Sequence, residues 1–218
     1  MWNNEYWPLL IQAYLAKPEG IKSQWSRTAV DLAMELHLRP TDITDRLKTI
    51  DAHNSGPVER LLQHYKAHPR RLQRDTERLR HMSGFGDMAA FYDGVSTATH
   101  KFEALYRPVG GTPFTPAMLT ILLDLYFRLV PATMVDSTPE VRDMAQRTGL
   151  TADQVVEALH IFLFIDPTAR KGSDDELAAF SPLTPLCNAT WHRLDNGNPA
   201  IVAQEARRYY EYYIAPAK

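Results

Sequence analysis

The 218-residue sequence contains a single cysteine, Cys187. One cysteine cannot form a disulfide within the chain, and an unpaired thiol is typical of a reducing compartment rather than of secreted proteins. The first residues also lack the positive charge and the apolar segment of a signal peptide. We therefore expect a cytoplasmic protein.

Long hydrophobic runs are missing as well. The longest apolar stretch, residues 117–130, is interrupted by Asp124 and Arg128, and it is shorter than the roughly 20 residues that a membrane-spanning helix needs. The formal net charge of -2 also removes any global electrostatic attraction to nucleic acid or acidic lipid. We expect no membrane association.

No segment shows the sustained alternation of apolar and polar residues that is typical of a strand. Helix starts, in contrast, are frequent, because a hydroxyl or amide side chain directly before proline suits an N-cap followed by the first helical position. Such pairs are Thr115-Pro116, Thr138-Pro139, Ser181-Pro182, Thr184-Pro185 and Asn198-Pro199. Two capping-box patterns, Thr151 with Gln154 and Ser173 with Glu176, add to them. The sequence therefore predicts an all-α protein.

The two halves of the chain resemble each other at an offset of 112 residues, from about 9–50 to about 121–162. The six identical pairs are Leu10 and Leu122, Tyr14 and Tyr126, Asp31 and Asp143, Ala33 and Ala145, Leu38 and Leu150, and Leu47 and Leu159. Residues 107–114, with two glycines and two prolines, form the best candidate linker. We predict an N-terminal unit over 1–106 and a C-terminal unit over 115–218.

The second copy has small or apolar residues around a glycine turn: Ala145, Gly149, Leu150, Val155 and Leu159. With these residues it resembles the helix-turn-helix family. The first copy departs from the pattern, because His37 stands where glycine is expected and Arg46 where a buried residue is common. The resemblance implies two tandem trihelical repeats with additional flanking helices, and in DNA-binding members of the family the second helix enters the major groove.

Basic residues that could contact phosphate lie outside the second copy, whose second helix is acidic. Residues 64–81 carry six positive side chains against Asp75 and Glu77, which favours either a solvated helix or a phosphate-binding surface. The candidate phosphate or nucleic-acid contacts are Arg46, Lys48, Lys66, Arg70, Arg71, Arg74 and Arg78.

A candidate protein interface is predicted from excess apolar and aromatic residues. Residues 161–165 are more apolar than a solvated helix tolerates, and of the tyrosines near the C-terminus only Tyr209 and Tyr213 fit the apolar stripe of their helix. The candidate interface residues are Ile161, Phe164, Tyr210 and Tyr212.

Motifs of common catalytic, phosphate-binding and dinucleotide-binding sites are missing from the sequence. Glu157 and His160 have the spacing of half a di-iron motif without the second half, and His64 with His68 supplies only two ligands. Cys187 is expected to be a small buried thiol. We predict no enzyme activity, no catalytic or metal site and no cofactor.

These observations favour a non-catalytic helical binding module that acts through protein-protein contacts or self-association. The alternative is a DNA-binding transcriptional regulator that uses the first repeat together with the basic helix at 66–80.

Overall fold

The computed structural model describes residues 2–53, 56–82, 85, 100–169 and 181–214. Over these ranges the backbone forms eleven α-helices, two short 3-10 helices (Asn4–Tyr6 and Pro131–Thr133) and no strand. The all-α prediction is confirmed. The chain divides into two compact units, Met1–Phe102 (unit 1) and Glu103–Lys218 (unit 2).

Unit 1 is built from five helices and the start of a sixth. They are α1 (Trp7–Leu15), α2 (Arg27–Leu36), α3 (Pro40–Asp51), α4 (Gly56–Ala67), α5 (Pro69–Arg80) and α6 (His100–Tyr106). Helix α1 packs against α2, α3, α4 and α5, because nearly all of its side chains are apolar. The middle of the core is formed by four fully buried side chains: Leu10, Ile11, Ile43 and Leu47.

The connection between α2 and α3 is a tight turn. The Ser26 hydroxyl accepts a hydrogen bond from the Ala29 N–H and caps the start of α2. At the end of α2, His37 adopts a left-handed conformation with φ of 51°. A histidine therefore occupies the backbone conformation that glycine usually provides.

Unit 2 contains the end of α6 and five further helices: α7 (Pro116–Arg128), α8 (Pro139–Thr148), α9 (Ala152–Ile165), α10 (Thr184–Arg193) and α11 (Pro199–Tyr213). Helix α7 packs against all of the other four. Leu119, Ile121, Leu122 and Leu123 are at most 1% exposed, so this apolar helix lies at the centre of unit 2.

Three of the five predicted pairs place their first residue at the N-cap of a helix in unit 2: Thr115, Thr138 and Asn198, of which Thr138 makes no side-chain capping hydrogen bond. At the other two pairs the structure differs, because α10 begins at Thr184 itself with Leu183 as its N-cap. Thr115 accepts from the Met118 N–H, Asn198 accepts from the Ala200 N–H, and Thr151 and Gln154 form both hydrogen bonds of a capping box. Gly149 ends α8 in the left-handed conformation, with φ of 76°. The other predicted capping box, at Ser173 and Glu176, lies outside the described residues.

The predicted linker at 107–114 is a folded part of unit 2. Phe114 is 3% exposed, and its carbonyl accepts a hydrogen bond from the Val109 N–H at 2.9 Å. The division between the units lies at Phe102 and Glu103, ahead of this segment, so its glycines and prolines turn the chain within unit 2.

Among the described residues, no single helix is long and apolar enough to cross a membrane. Helices α8 and α9 reach the required length and composition only when taken together, and the chain bends by 110° between them.

Candidate interaction surfaces

The solvent-facing side of α5 carries four exposed arginines, which we call the arginine stripe: Arg70, Arg71, Arg74 and Arg78. Neighbouring residues of an α-helix are about 100° apart around its axis, so these four lie within an arc of about 100°. Leu72, Thr76 and Leu79 lie on the opposite side and are buried. The short apolar face that packs against α1 and α4 thus directs every arginine of the stripe toward solvent.

The arginine stripe is only partly neutralised by carboxylates. Arg71 and Arg74 share Asp75, at N···O distances of 3.6 and 3.7 Å. Asp75 also accepts a hydrogen bond from the buried Tyr65 hydroxyl at 3.2 Å. No carboxylate of a described residue lies within 4.0 Å of the guanidinium of Arg70 or Arg78. Two of the four positive charges therefore have no ion-pair partner in this part of the structure.

The other basic residues of segment 64–81 have structural partners. The Arg80 guanidinium donates to Glu35 at 2.5 and 3.1 Å, which ties α5 to α2 and raises the pKa of Arg80. Lys66 lies 3.2 Å from Glu19. Arg80 and Lys66 therefore belong to intramolecular ion pairs, and we do not count them in the arginine stripe.

An open concavity of about 730 Å³ lies at the start of α5. Its walls are Ala67, His68, Pro69, Arg70, Arg71 and Arg74. The His64 and His68 rings stack beside it with their centroids 4.9 Å apart, and the His68 Nδ1–H donates to the His64 carbonyl. Three of the four stripe arginines therefore line a recess that is open to solvent.

The predicted phosphate contacts on α3 are engaged within unit 1. The Arg46 guanidinium lies over the Trp2 ring, 4.7 Å from its centroid, and 6.0 Å from that of Trp7. Lys48 forms an ion pair with Asp45 at 2.9 Å. The outward face of α3 also carries carboxylates, so it has no net positive charge with which to approach phosphate.

The structure changes the candidate protein interface. Ile161 is 0% exposed, because α9 is covered by α7, α8 and α10, and we correct the prediction by removing Ile161 from the interface. Phe164 is half-buried. Residues 161–165, the apolar end of α9, are buried or half-buried, so unit 2 itself covers most of this segment.

Tyr210 and Tyr212 are both half-buried and both have partners in unit 2. The Tyr210 hydroxyl donates to Asp124 at 3.1 Å and accepts from Arg128, and burial raises its pKa. The Tyr212 ring lies 4.5 Å from the Tyr106 ring, centroid to centroid. Each side chain retains some exposed surface, but both already have partners within unit 2.

Sequence reasoning missed exposed apolar residues in the connection between α7 and α8. Val130 is 61% exposed and Val135 is 41% exposed, on either side of the short 3-10 helix Pro131–Thr133. The signal that could have found them is Pro131, since a helix usually ends before a proline and the connection that follows runs over the surface.

The residues considered for catalysis or metal binding do not converge. Within the described ranges, no group of three or more His, Cys, Asp or Glu side chains could hold a metal ion. The Glu157 carboxylate accepts from the Ser181 hydroxyl at 2.7 Å, and the His160 Nε2 contacts the Met134 carbonyl at 3.1 Å. Cys187 is fully buried, as predicted, and its burial raises the pKa of the thiol.

Comparison with known proteins adds no relative: no family model, no curated protein and no solved structure matches the chain.

Proposed function

We propose that the protein is a non-catalytic, cytoplasmic binding module and that the arginine stripe of α5 is the surface with which it holds an anionic macromolecular partner. The observation that carries this proposal is the exposure of the four stripe arginines on one side of a helix, with no ion-pair partner for Arg70 and Arg78 among the described residues.

The arrangement is unfavourable for the free helix, which supports a role in binding. Arg70 with Arg74, and Arg74 with Arg78, are like charges four residues apart, and each such pair destabilises a helix by about 0.2–0.5 kcal/mol. The neighbouring Arg71 is drawn to the same single carboxylate as Arg74. A bound anion would remove this repulsion. The row of like charges itself does not stabilise the fold of unit 1.

The protein partner, or second copy of the chain, that the sequence favours would bind through a separate surface, on unit 2. The half-exposed Phe164 and the exposed Val130 and Val135 support it, because apolar side chains at the surface form the centres of protein interfaces. The alternative, a DNA-binding regulator that uses both the first repeat and the basic helix, retains support only from α5, since Arg46 and Lys48 are engaged within unit 1.

We further propose that the two units share one trihelical plan through an internal duplication. Helices α2 and α8 are each 10 residues long, and α8 begins 112 residues after α2. Both end on a left-handed residue, His37 and Gly149. A tyrosine of the first helix donates to an aspartate at or just after the end of the third in each unit, Tyr14 to Asp51 and Tyr126 to Asp166. The helix-turn-helix resemblance is part of this proposal.

The binding surface is tested with immobilised heparin, a sulfated polyanion that serves as a general probe. We compare the wild type with the double variant Arg70→Glu/Arg78→Glu. The matched control is Arg60→Glu/Arg207→Glu, which makes the same change in net charge at two exposed arginines outside the stripe. Circular dichroism and the thermal midpoint check that all three proteins fold alike.

We expect the wild type and the control to be retained at low salt and the stripe variant to elute at a clearly lower salt concentration. A wild type that is not retained, or a control that elutes with the stripe variant, would show that the arginine stripe is not a specific anion-binding surface.

A further inference from the structure

We propose that the arginine stripe binds the sugar-phosphate backbone of a nucleic acid duplex without reading its sequence. This inference rests on the proposed function and names the partner of the same surface. The charges, the spacing and the neighbours of the four arginines carry it.

The charges of the stripe are evenly repeated. Arg70, Arg74 and Arg78 follow one another every four residues, which separates them by about 6 Å along the helix axis and gives the stripe a length of about 12 Å. A guanidinium can bind a phosphate through two parallel N–H···O bonds. A row of equally spaced guanidinium groups suits a polymer that presents one anion per repeat, and each strand of a duplex does so.

A folded acidic protein is a poorer fit for this surface. Stable protein interfaces depend on a few buried aromatic or apolar anchors, with charged residues at the rim. Within the arc of the arginine stripe, α5 exposes only arginines. Asp75 and Glu77 border the arc on its two sides, so they confine the positive surface to a narrow strip along α5.

Base recognition and single-strand binding have less support on α5 than phosphate binding. Reading of base edges commonly uses free amide groups as well as arginines, but the Gln73 amide donates to Glu77 at 3.0 Å. Single-stranded nucleic acids bind through stacking on exposed aromatic rings. The His64 and His68 rings before α5 stack on each other, and the His81 Nδ1–H after it donates to the Glu77 carbonyl at 2.7 Å. The arginine stripe therefore offers guanidinium groups, which suit phosphates, without a free amide beside them.

The test measures fluorescence anisotropy of labelled DNA duplexes of two unrelated sequences, with a duplex RNA and a single-stranded DNA as further probes. Affinities are measured between about 50 and about 200 mM salt, across which four phosphate contacts predict a loss of about 100-fold. The variant Arg70→Gln/Arg78→Gln should lower the slope of log K against log salt by about 2. The control Arg60→Gln/Arg207→Gln should leave the slope unchanged.

The results separate this inference from the proposed function. The inference is supported by similar affinity for both DNA sequences together with a reduced salt slope in the variant Arg70→Gln/Arg78→Gln. Comparison of duplex RNA with duplex DNA shows whether the sugar affects the affinity. Binding of poly-L-glutamate through Arg70 and Arg78 without duplex binding would overturn the inference and leave the proposed function intact.

Three further outcomes are decisive. Tighter binding of the single strand than of the duplex, or a preference of more than about tenfold for one DNA sequence, would overturn recognition of the duplex backbone alone. If neither the duplexes nor poly-L-glutamate binds, both this inference and the proposed function fail.

Discussion

Tyr126 donates a hydrogen bond to the Asp166 carboxylate across 2.7 Å, and both side chains are buried in unit 2. The bond joins the last turn of α7 to the residue that directly follows α9. In unit 1, Tyr14 donates to Asp51 across 2.8 Å, but that aspartate is exposed. The Asp51 carboxylate raises the pKa of Tyr14 to about 12 through this hydrogen bond.

Replacing these tyrosines by phenylalanine tests the two bonds in parallel. Tyr126→Phe removes a hydrogen bond to a buried charged acceptor and should lower the free energy of unfolding by about 1.5–3 kcal/mol. Tyr14→Phe should cost about 0.5–1.5 kcal/mol, because water can reach Asp51. Hydrogen exchange read by mass spectrometry assigns each loss to its own unit. Equal effects of the two variants would contradict the role given to burial.

The stability of unit 2 should depend on Asp166 in acid. Burial disfavours the charged carboxylate, but hydrogen bonds from Thr168 and Tyr126 outweigh burial, so the pKa of Asp166 lies below its ordinary value of 3.8. The unfolded state then binds more protons in acid. The stabilising contribution of Asp166 is complete above its ordinary pKa and is lost as the pH falls through the lowered pKa.

Asp166→Asn should therefore be less stable than the wild type at neutral pH, and the difference should shrink as the pH falls below 3.8. Urea unfolding at a series of pH values measures it. Asp136→Asn, at an exposed aspartate, is the control. A wild-type advantage over Asp166→Asn that stays constant into acid would contradict this account.

Gly149→Ala tests backbone strain without a steric clash. Gly149 has φ of 76°, and a Cβ added there would meet no atom within 4 Å. An L-residue in this conformation costs about 1–2 kcal/mol, so we expect Gly149→Ala to destabilise unit 2 by about 1 kcal/mol, since alanine also restricts the unfolded chain. Thermal unfolding followed by circular dichroism measures the change. An unchanged thermal midpoint would count against it.

Gly197→Ala adds a clash to the same strain. Gly197 has φ of 71°, and a Cβ there would lie 2.5 Å from the Trp191 ring, which is 6% exposed. Overpacking costs about 1–3 kcal/mol beyond the strain, so this variant should be distinctly less stable than Gly149→Ala. The fluorescence of Trp191 should change in the folded state. Equal stability of the two alanine variants would argue against contact between Gly197 and the ring.

Arg46 and Lys48 should contribute to the stability of unit 1 and not to the binding of nucleic acid. The variant Arg46→Gln/Lys48→Gln loses the contact with the Trp2 ring and should lower stability by about 0.5–1 kcal/mol. In the anisotropy assay it should keep the salt dependence of the wild type. A salt slope reduced as much as in Arg70→Gln/Arg78→Gln would instead favour the regulator that uses α3.

Local signals predicted most of the helix starts of unit 2, with α10 as the exception. Thr151 and Gln154 form their capping box, and Asn198 caps α11, because a cap involves only neighbouring residues. The turn at His37 was harder to predict, because a positive φ is uncommon for any residue other than glycine, even though histidine is enriched among the exceptions. The segment 107–114 was also harder to predict, because its Phe114 is anchored in a core that the segment itself does not reveal.

The amino-acid sequence by itself determined that the chain is helical, where many of its helices begin, and that four arginines of α5 lie on one side. These properties depend on residues within a few positions of each other. Only the tertiary structure decided which side chains remain available. Arg80 pairs with Glu35, Arg46 lies on Trp2, and Ile161 is buried, because each of these environments is created by segments that are far apart in the sequence.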